Sequence, residues 1–254
     1  MVGVYDAAEA YEIAFSYRDV AAEVDALTRW AGAAPGSVLE LAAGPADHAV
    51  EFARRGARAA ALDLSPAMCA RAQANAAKAG VPLAVHRADM ADFRLGARFA
   101  LACCMIDSIA HVLTLDALVS HLRCVRACLE PDGCYIVEGS HPAEYLSDAK
   151  RVETEWDHER DGRTVRLRWG LPDDQIDPVT QVVEVSVRLT VTGSDGRTEI
   201  VDGIVPNRFW TVDEMTAAAR LAGLTVAARY GDFEDDLPLT DERAWRMITV
   251  LRPA

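Results

Sequence analysis

Short apolar runs that alternate with helical patterns constrain the fold of this chain more than any other feature. Residues 37–42 form one apolar run between Pro35-Gly36 and Gly44-Pro45, and four further runs follow before residue 140. Each run is too short for a typical globular helix and is bounded by turn residues, so it predicts a buried strand. Strands separated by helices indicate βαβ units, in which a parallel sheet is covered on both faces.

Helical patterns occupy the intervals between these strands. Residues 8–31 place apolar side chains at helical spacing, and a second helix is predicted over residues 48–55. Ser65-Pro66 can start a third helix, because serine caps the first turn and proline fits its first position, and Gly80 can end it.

The pattern changes after about residue 150. Residues 152–205 are rich in β-branched and charged residues, and residues 183–189 alternate strictly between apolar and polar. The Gly-Ser-Asp-Gly sequence at residues 193–196 is typical of a hairpin turn. These features predict an antiparallel sheet with one solvated face, followed by a helix near residues 212–222 and two closing strands.

We therefore predict an α/β fold: a Rossmann-like doubly wound sheet, mostly parallel with an antiparallel closing hairpin, plus an inserted antiparallel β-sheet. The expected core comprises residues 1–150 and 206–254, and residues 151–205 form the inserted subdomain.

Charge and composition exclude several classes of function. The net charge of −13 argues against nucleic acid as a partner, since phosphate binding usually needs a basic face. No apolar run approaches the roughly 20 residues of a membrane span, and the acidic amino terminus does not resemble a signal peptide. We expect a cytoplasmic protein without a membrane partner. The six cysteines form no C-x-x-C pair, which predicts reduced thiols in the core and no metal site.

Candidate ligand-binding residues follow successive strands of the predicted sheet. A loop of small residues at 42–46 leads from the first strand into a helix, where backbone can approach a ligand and free amides can receive a carboxylate. Asp63 ends the second strand, where its carboxylate can accept hydrogen bonds from two ribose hydroxyls. Asp89 and Met90 end the third strand, and with Met68 they suit a purine ring. Because the carboxyl ends of parallel strands share one edge, these residues predict a site for a nucleoside-type cofactor.

A dinucleotide-dependent dehydrogenase is the obvious alternative. Its G-x-G-x-x-G fingerprint is absent, because Gly44 is the one glycine in the loop.

Residues 38–73 resemble the first two motifs of class I S-adenosylmethionine-dependent methyltransferases, and residues 87–113 resemble the next two. Residues 129–139 and 206–224 are similar to later elements of that fold. Within the superfamily, the chain is similar to the N,N-dimethyltransferases that finish amino sugars of macrolide antibiotics, with their tyrosine-bearing amino-terminal helix and DMxDF and SIxHL segments. The family's first loop usually carries two or three glycines, whereas here Ala42 and Ala46 accompany Gly44.

The resemblance implies S-adenosylmethionine as the cofactor and a small molecule as the methyl acceptor. The predicted cofactor-binding residues are Tyr11, Tyr17, Glu40, Ala42, Gly44, Asp63, Leu64, Met68, Asp89, Met90 and Met105. The candidate catalytic residues are His111 and His141, which with Tyr5 and Arg208 are also the candidate substrate-binding residues.

The leading hypothesis is methyl transfer to an amine of an amino sugar or another secondary metabolite. One alternative is O-methylation with His111 or His141 as general base, since an unactivated hydroxyl needs one. A second alternative is a non-catalytic binding protein that has lost the cofactor, which the glycine-poor loop suggests. The sequence leaves open the identity of the acceptor, the number of methyl groups transferred, and whether the chain is a monomer or a homodimer.

Overall fold

The computed structural model describes residues 3–146, 154–234 and 236–254; the predicted boundary at residues 150 and 151 lies outside these ranges. The helices are α1 (Ala8–Ala14), α2 (Val20–Ala31), α3 (Asp47–Arg54), α4 (Pro66–Ala79), α5 (Leu115–Cys128), α6 (Pro142–Leu146) and α7 (Val212–Leu221), with a 3₁₀ turn at Ser108–His111. The strands are β1 (Ser37–Leu41), β2 (Arg58–Asp63), β3 (Ala84–Arg87), β4 (Phe99–Cys104), β5 (Leu129–Ser140), β6 (Thr154–Arg160), β7 (Arg163–Trp169), β8 (Val182–Thr192), β9 (Thr198–Arg208), β10 (Leu224–Tyr230) and β11 (Arg246–Pro253).

The larger sheet has seven strands in the order β10-β11-β5-β4-β1-β2-β3. Strands β5, β4, β1, β2 and β3 run parallel, while β11 is antiparallel to both β10 and β5. This arrangement confirms the predicted Rossmann-like sheet with a closing antiparallel hairpin. Strand order reverses between β1 and β4, which is the position where open α/β sheets bind ligands.

Helices cover both faces of this sheet, as the apolar strands predict. All five residues of β1 are buried, which is typical of a parallel strand covered on both sides. One face packs against α5 and α7, and the other packs against α2, α3 and α4. The six cysteines, all within the described ranges, carry free thiols, and five are buried, in agreement with their predicted core role.

The helical pattern over residues 8–31 forms two helices, α1 and α2, and the prediction of one continuous helix is wrong. Ser16 donates a hydrogen bond from its hydroxyl to the Ile13 carbonyl just after α1 ends. Asp19 then accepts a hydrogen bond from the Ala22 amide and caps a new helix, α2. After this break the chain passes from the four-stranded sheet, against which α1 packs, to the seven-stranded sheet, against which α2 packs.

The smaller sheet has four antiparallel strands in the order β6-β7-β8-β9. Its apolar face is lined by alternate residues of β8, from Val183 to Val191, as the strict alternation predicts. That face packs against Val4 and the apolar side of α1, so the amino-terminal segment shares a core with the smaller sheet. Among the described helices, none combines the length and apolar character needed to cross a membrane.

Candidate active site

A cavity of about 1190 Å³ lies at the carboxyl ends of β1 to β5, between the two sheets and beneath the amino-terminal segment. We call the part lined by residues 42–45, 62–65, 68 and 88–91 the cofactor half. The acceptor half is lined by Tyr5, residues 106–108 and 111–114, Glu138, and Trp156, His158, Trp169 and Asn207 of the smaller sheet. The structure brings together at this cavity the predicted residues Tyr5, Tyr11, Tyr17, Ala42, Gly44, Asp63, Leu64, Met68, Asp89, Met90 and His111.

The loop after β1 has an unusual backbone. Ala42, Gly44 and Ala46 have φ angles of 48°, 52° and 62°, in the left-handed region that favours glycine. An L-residue in this region costs roughly 1–2 kcal/mol. The two alanines at glycine positions therefore keep the glycine backbone conformation, and the loop retains its shape at a cost in stability.

Asp63 is held in place by this loop and by the start of α4. Its two carboxylate oxygens accept hydrogen bonds from the Gly44 amide at 2.7 Å and the Ser65 amide at 2.8 Å. Burial raises the pKa of Asp63, while the two backbone hydrogen bonds oppose that rise. Each carboxylate oxygen can accept more than one hydrogen bond, so the group is oriented and still able to receive hydroxyl donors from the cavity.

A buried chain of charges joins the cofactor loop to the amino-terminal segment. His48, with a 1% exposed side chain, bonds Glu40 at 2.9 Å through Nδ1 and Glu23 at 2.8 Å through Nε2. Although burial alone lowers it, these carboxylates raise the pKa of His48 to about 9, so the imidazole is cationic at neutral pH. Glu23 also pairs with Arg18, whose side chain is 7% exposed and lines the cavity.

His111 and Tyr5 form a hydrogen-bonded pair in the acceptor half. The Tyr5 hydroxyl lies 2.9 Å from His111 Nε2, and the two rings meet edge to face. Burial lowers the pKa of His111, partly offset by a hydrogen bond to the Pro206 carbonyl, so the ring is neutral at pH 7. That carbonyl needs a ring N–H, which leaves Nε2 to accept the Tyr5 proton.

Aromatic side chains close the cavity where α1 meets the smaller sheet. Tyr17 stacks on His158 with ring centroids 5.6 Å apart, and Trp156 meets Tyr17 edge to face at 6.0 Å. Trp156 also donates a hydrogen bond to the Ala14 carbonyl at 2.7 Å, which fixes α1 on β6. These rings form the rim of the cavity on this side, where Tyr17 is still 52% exposed.

The chain is similar to known methyltransferases in sequence and in fold. Residues 38–133 match a family described as a methyltransferase domain. The chain is 29% identical to a dTDP-3-amino-3,4,6-trideoxy-alpha-D-glucopyranose N,N-dimethyltransferase of Streptomyces venezuelae over 169 residues, which cover 63% of this chain and 67% of the relative. It is 33% identical to a dTDP-3-amino-3,6-dideoxy-alpha-D-glucopyranose N,N-dimethyltransferase of Streptomyces fradiae over 122 residues, which cover 48% of this chain and 46% of that relative. A crystal structure of an S-adenosylmethionine-dependent methyltransferase from Clostridium acetobutylicum shares the fold, with a TM-score of 0.78, 14% identity and 97% of each chain covered.

Residues 38–133 thus resemble a methyltransferase domain, and the chain has the fold of a solved S-adenosylmethionine-dependent methyltransferase. Its cofactor half fits S-adenosylmethionine in each of its parts. The Asp63 carboxylate faces the cavity at the end of β2, and Met68 and Met90 supply apolar surface beside it. Arg18 adds a buried cation that suits the carboxylate of the methionine part, although sequence reasoning did not single it out.

Four predicted site residues lie outside the cavity lining, as far as the described residues define it. Glu40 bonds His48 and the Ala49 amide at 2.8 Å, so its carboxylate holds α3 in place. Met105 is 3% exposed and packs in the core between β4 and α2.

The other two are held by neighbouring groups. His141 donates from Nε2 to the Leu239 carbonyl at 2.9 Å and accepts the Ala143 amide on Nδ1 at 3.1 Å, which occupies both ring nitrogens. Arg208 pairs with Glu214 at 3.2 Å and stacks on Trp210 at 4.0 Å. The expectation that His141 and Arg208 meet the substrate is therefore not supported by their positions.

Two lining residues of the acceptor half were missed by the sequence reasoning. Asp107 directly precedes the SIAH segment, and Asn207 directly precedes Arg208. Asp107 follows the end of β4, at the edge where open α/β sheets bind ligands, so strand-end position was the available signal. For Asn207 no signal existed, since its role depends on how β9 packs against the 3₁₀ turn.

Proposed function

We propose that this methyltransferase transfers a methyl group to an amine nitrogen of a small-molecule acceptor, an amino sugar or a related secondary metabolite. The Tyr5–His111 pair carries the proposal. His111 is neutral, as a general base must be, but its Nε2 is occupied by the Tyr5 hydroxyl, so the ring is poorly placed to remove a proton from an unactivated hydroxyl. An amine needs alignment more than such a base, and the two curated relatives described above are named for N,N-dimethylation of amino sugars.

The proposed roles in the cofactor half follow from the strand ends. When bound, the cofactor supplies a sulfonium-activated methyl group. The Asp63 carboxylate accepts hydrogen bonds from the ribose hydroxyls. Asp89, Met90 and Met68 bind the adenine ring, and Leu64 lies beside the bound nucleoside. The amides of the loop at 42–45 and the Arg18 guanidinium receive the methionine part, while Tyr11 and Tyr17 cover it.

The acceptor half aligns the nucleophile with the methyl group and excludes water. Tyr5, oriented by His111, contacts the acceptor, and residues of the smaller sheet form one wall of its pocket. This role supports the proposed division into a core of residues 1–150 and 206–254 and a substrate-binding insertion of residues 151–205. Among the described lining residues, carboxylates outnumber guanidinium groups, which favours a neutral or cationic acceptor. A cytoplasmic location and a homodimer stay predictions.

The first test measures cofactor binding by titration calorimetry with S-adenosylmethionine and S-adenosylhomocysteine. We expect micromolar affinity, about −8 kcal/mol, and a loss of about 100-fold in Asp63→Ala, because charge-assisted hydrogen bonds contribute about 1.5–3 kcal/mol each. Asp92→Ala is the matched control. Asp92 is an exposed carboxylate that follows β3 at the same edge of the sheet, and it is not part of the cavity lining. Absence of binding by the wild-type chain would support the non-catalytic alternative instead.

The second test separates N- from O-methylation. The wild-type enzyme is incubated with dTDP-3-amino-3,6-dideoxy-α-D-glucopyranose or with its 3-hydroxy counterpart, and S-adenosylhomocysteine formation is followed. Transfer to the amine alone supports the proposal. Transfer to the hydroxyl that collapses in His111→Ala would favour the O-methyltransferase alternative.

A further inference from the structure

Asp107 occupies an unusual position at the end of β4. Ile106 and Asp107 have φ angles of 55° and 50°, and a β-branched residue at positive φ is a genuine outlier. Glu138 accepts the Ile106 amide at 2.8 Å, and Ser140 donates its amide and its hydroxyl to Asp107 at 3.0 and 2.5 Å. The end of β5 thus holds this strained pair so that the Asp107 carboxylate lines the acceptor half.

Asn207 supplies an independent observation. Its side chain lines the same half of the cavity, the residue is 5% exposed, and its carbonyl oxygen has no hydrogen-bond partner among the described residues. A buried polar group without a partner is costly, so such a group in a ligand cavity points to a donor supplied by the ligand. Asn207 follows Pro206, whose carbonyl bonds His111, so it stands close to the Tyr5–His111 pair.

Three side chains of the acceptor half therefore present hydrogen-bond acceptors. Tyr5 donates its proton to His111, which leaves the lone pairs of its oxygen free to accept. Asp107 offers a carboxylate and Asn207 a carboxamide oxygen. A primary ammonium group carries three N–H donors, whereas a hydroxyl carries one.

We propose that Asp107 binds the acceptor amine as an ammonium ion and takes the proton that must leave before methyl transfer. Tyr5 and Asn207 accept hydrogen bonds from the other two N–H groups. The inference rests on the proposed amine acceptor and names the group that recognises it. One N–H bond of the ammonium breaks and its proton passes to the Asp107 carboxylate. The freed lone pair of the nitrogen forms the N–C bond to the methyl group. At the same time the C–S bond breaks, and the electron pair of that bond goes to sulfur. Asp107 then releases the proton to solvent through the cavity.

The surroundings of Asp107 suit a proton acceptor near neutral pH. Burial raises the pKa of Asp107 to about 7; Ser140 opposes that rise, and the carboxylates of Glu144 and Glu138 add to it. The titratable groups that act on it are Glu138 on β5, Glu144 on α6 and Tyr5 in the amino-terminal segment. Two cations stand nearby: Arg208 on β9 borders the same small pocket, and Arg246 on β11 pairs with Glu138 and lies opposite Ser140.

The test compares an amine with its hydroxyl twin. Calorimetry in the presence of saturating S-adenosylhomocysteine measures binding of dTDP-3-amino-3,6-dideoxy-α-D-glucopyranose and of its 3-hydroxy counterpart at pH 8. We expect the wild-type enzyme to bind the amine at least tenfold more tightly, and Asp107→Asn to lose that preference while its affinity for the hydroxyl twin stays within twofold. Asparagine keeps the size of the side chain and tolerates positive φ, so the turn can be retained.

Two further measurements keep the proposal open to refutation if Asp107→Asn does not fold. Asn207→Leu should weaken binding of the amine three- to tenfold, more than binding of the hydroxyl twin, and should leave affinity for S-adenosylhomocysteine within twofold. In the wild-type enzyme, affinity for the amine should fall as the pH drops from 8 to 6, because Asp107 becomes protonated, while affinity for the twin stays flat.

A preference for the amine that Asp107→Asn retains in full would overturn the role of Asp107 and leave the proposed amine acceptor standing. A wild-type enzyme that binds the amine no more tightly than its twin, while S-adenosylhomocysteine still binds, would overturn the amine acceptor as well. Failure to bind S-adenosylhomocysteine would overturn the proposed function and this inference with it.

Discussion

The two halves of the cavity are built in different ways. Most of the cofactor half comes from one stretch, residues 42–91, in which backbone amides orient the Asp63 carboxylate, and the amino-terminal segment adds Arg18, Tyr11 and Tyr17. The acceptor half is assembled from Tyr5, Asp107, His111, Trp156 and Asn207, which are far apart in sequence and belong to both sheets. A common cofactor can be bound by a local motif, whereas an acceptor specific to one enzyme is met by side chains that only the tertiary fold brings together.

A charge network joins these halves. Glu40 and His48 belong to the loop side, Glu23 and Arg18 to the amino-terminal segment, and Arg18 lies 4.0 Å from Glu138 beneath the acceptor half. If the halves are independent, changes on one side should leave the other intact. If the network couples them, removing its centre should affect both.

The largest effect is expected from His48→Gln. The substitution leaves Glu40 buried without its cationic partner and leaves Glu23 with Arg18 alone, and breaking a buried ion pair costs about 3–5 kcal/mol. The free energy of unfolding in urea measures the loss, and His86→Gln on β3, where the ring is partly exposed, is the control. A loss below about 1 kcal/mol, the size of a surface pair, would mean that this buried network contributes little to the stability of the fold.

The same histidine predicts a pH dependence of stability. The pKa of His48 is about 9 in the fold against 6.5 when unperturbed, so the folded state holds the proton more tightly. Its contribution is complete below pH 6.5 and is lost as the pH rises through about 9, by up to about 3 kcal/mol. Urea unfolding at pH 6, 8 and 10 should show this decline in the wild type and a shallower one in His48→Gln. Parallel profiles would contradict the assignment of charge to this ring.

Arg18→Gln should weaken the cofactor half without altering the acceptor half. Loss of a buried charge-assisted contact of about 1.5–3 kcal/mol corresponds to a 10- to 100-fold loss of affinity for S-adenosylhomocysteine. Arg29→Gln on α2 is the matched control, because Arg29 pairs with Asp236 at the surface, away from the cavity. Unchanged affinity in Arg18→Gln would show that loop amides alone receive the methionine part.

Tyr5→Phe should weaken the acceptor half without altering the cofactor half. Removing the hydroxyl deprives His111 of its partner and the acceptor of an oxygen contact, which we expect to lower kcat about tenfold, or 1.4 kcal/mol. Affinity for S-adenosylhomocysteine should stay within twofold. Tyr230→Phe is the control, since that ring stacks on Trp30 outside the cavity lining of the described residues. Loss of cofactor affinity in Tyr5→Phe would show that the halves are not separate.

The same contrast explains how much could be predicted from the sequence. The mostly parallel sheet with its closing hairpin, the place of Asp63 and the loop at 42–46 follow from local patterns, because turn residues and apolar runs are set by neighbours in the chain. The positions of Glu40 and His141 could not be predicted, although both stand at the expected strand ends. Each side chain turns to a partner that packing provides, His48 in one case and the Leu239 carbonyl in the other. Strand-end position predicts where a residue lies, and tertiary packing decides what it contacts.

The smallest expected effect tests whether the cofactor loop stores strain. Ala42→Gly relieves a left-handed alanine, worth roughly 1–2 kcal/mol, against an entropy cost of about 0.5–1 kcal/mol for glycine, and should stabilise the fold by about 0.5–1 kcal/mol. Ala46→Gly relieves similar strain but removes a fully buried methyl group, worth about 0.8 kcal/mol, so its effect should be close to zero. Ala43→Gly is the matched control, because Ala43 is buried and does not have positive φ, and it should destabilise the fold by about 1 kcal/mol. The order of the three unfolding free energies is decisive. If all three variants are destabilised equally, the alanines carry no strain, and the loop tolerates them because its neighbours have adapted to the added methyl groups.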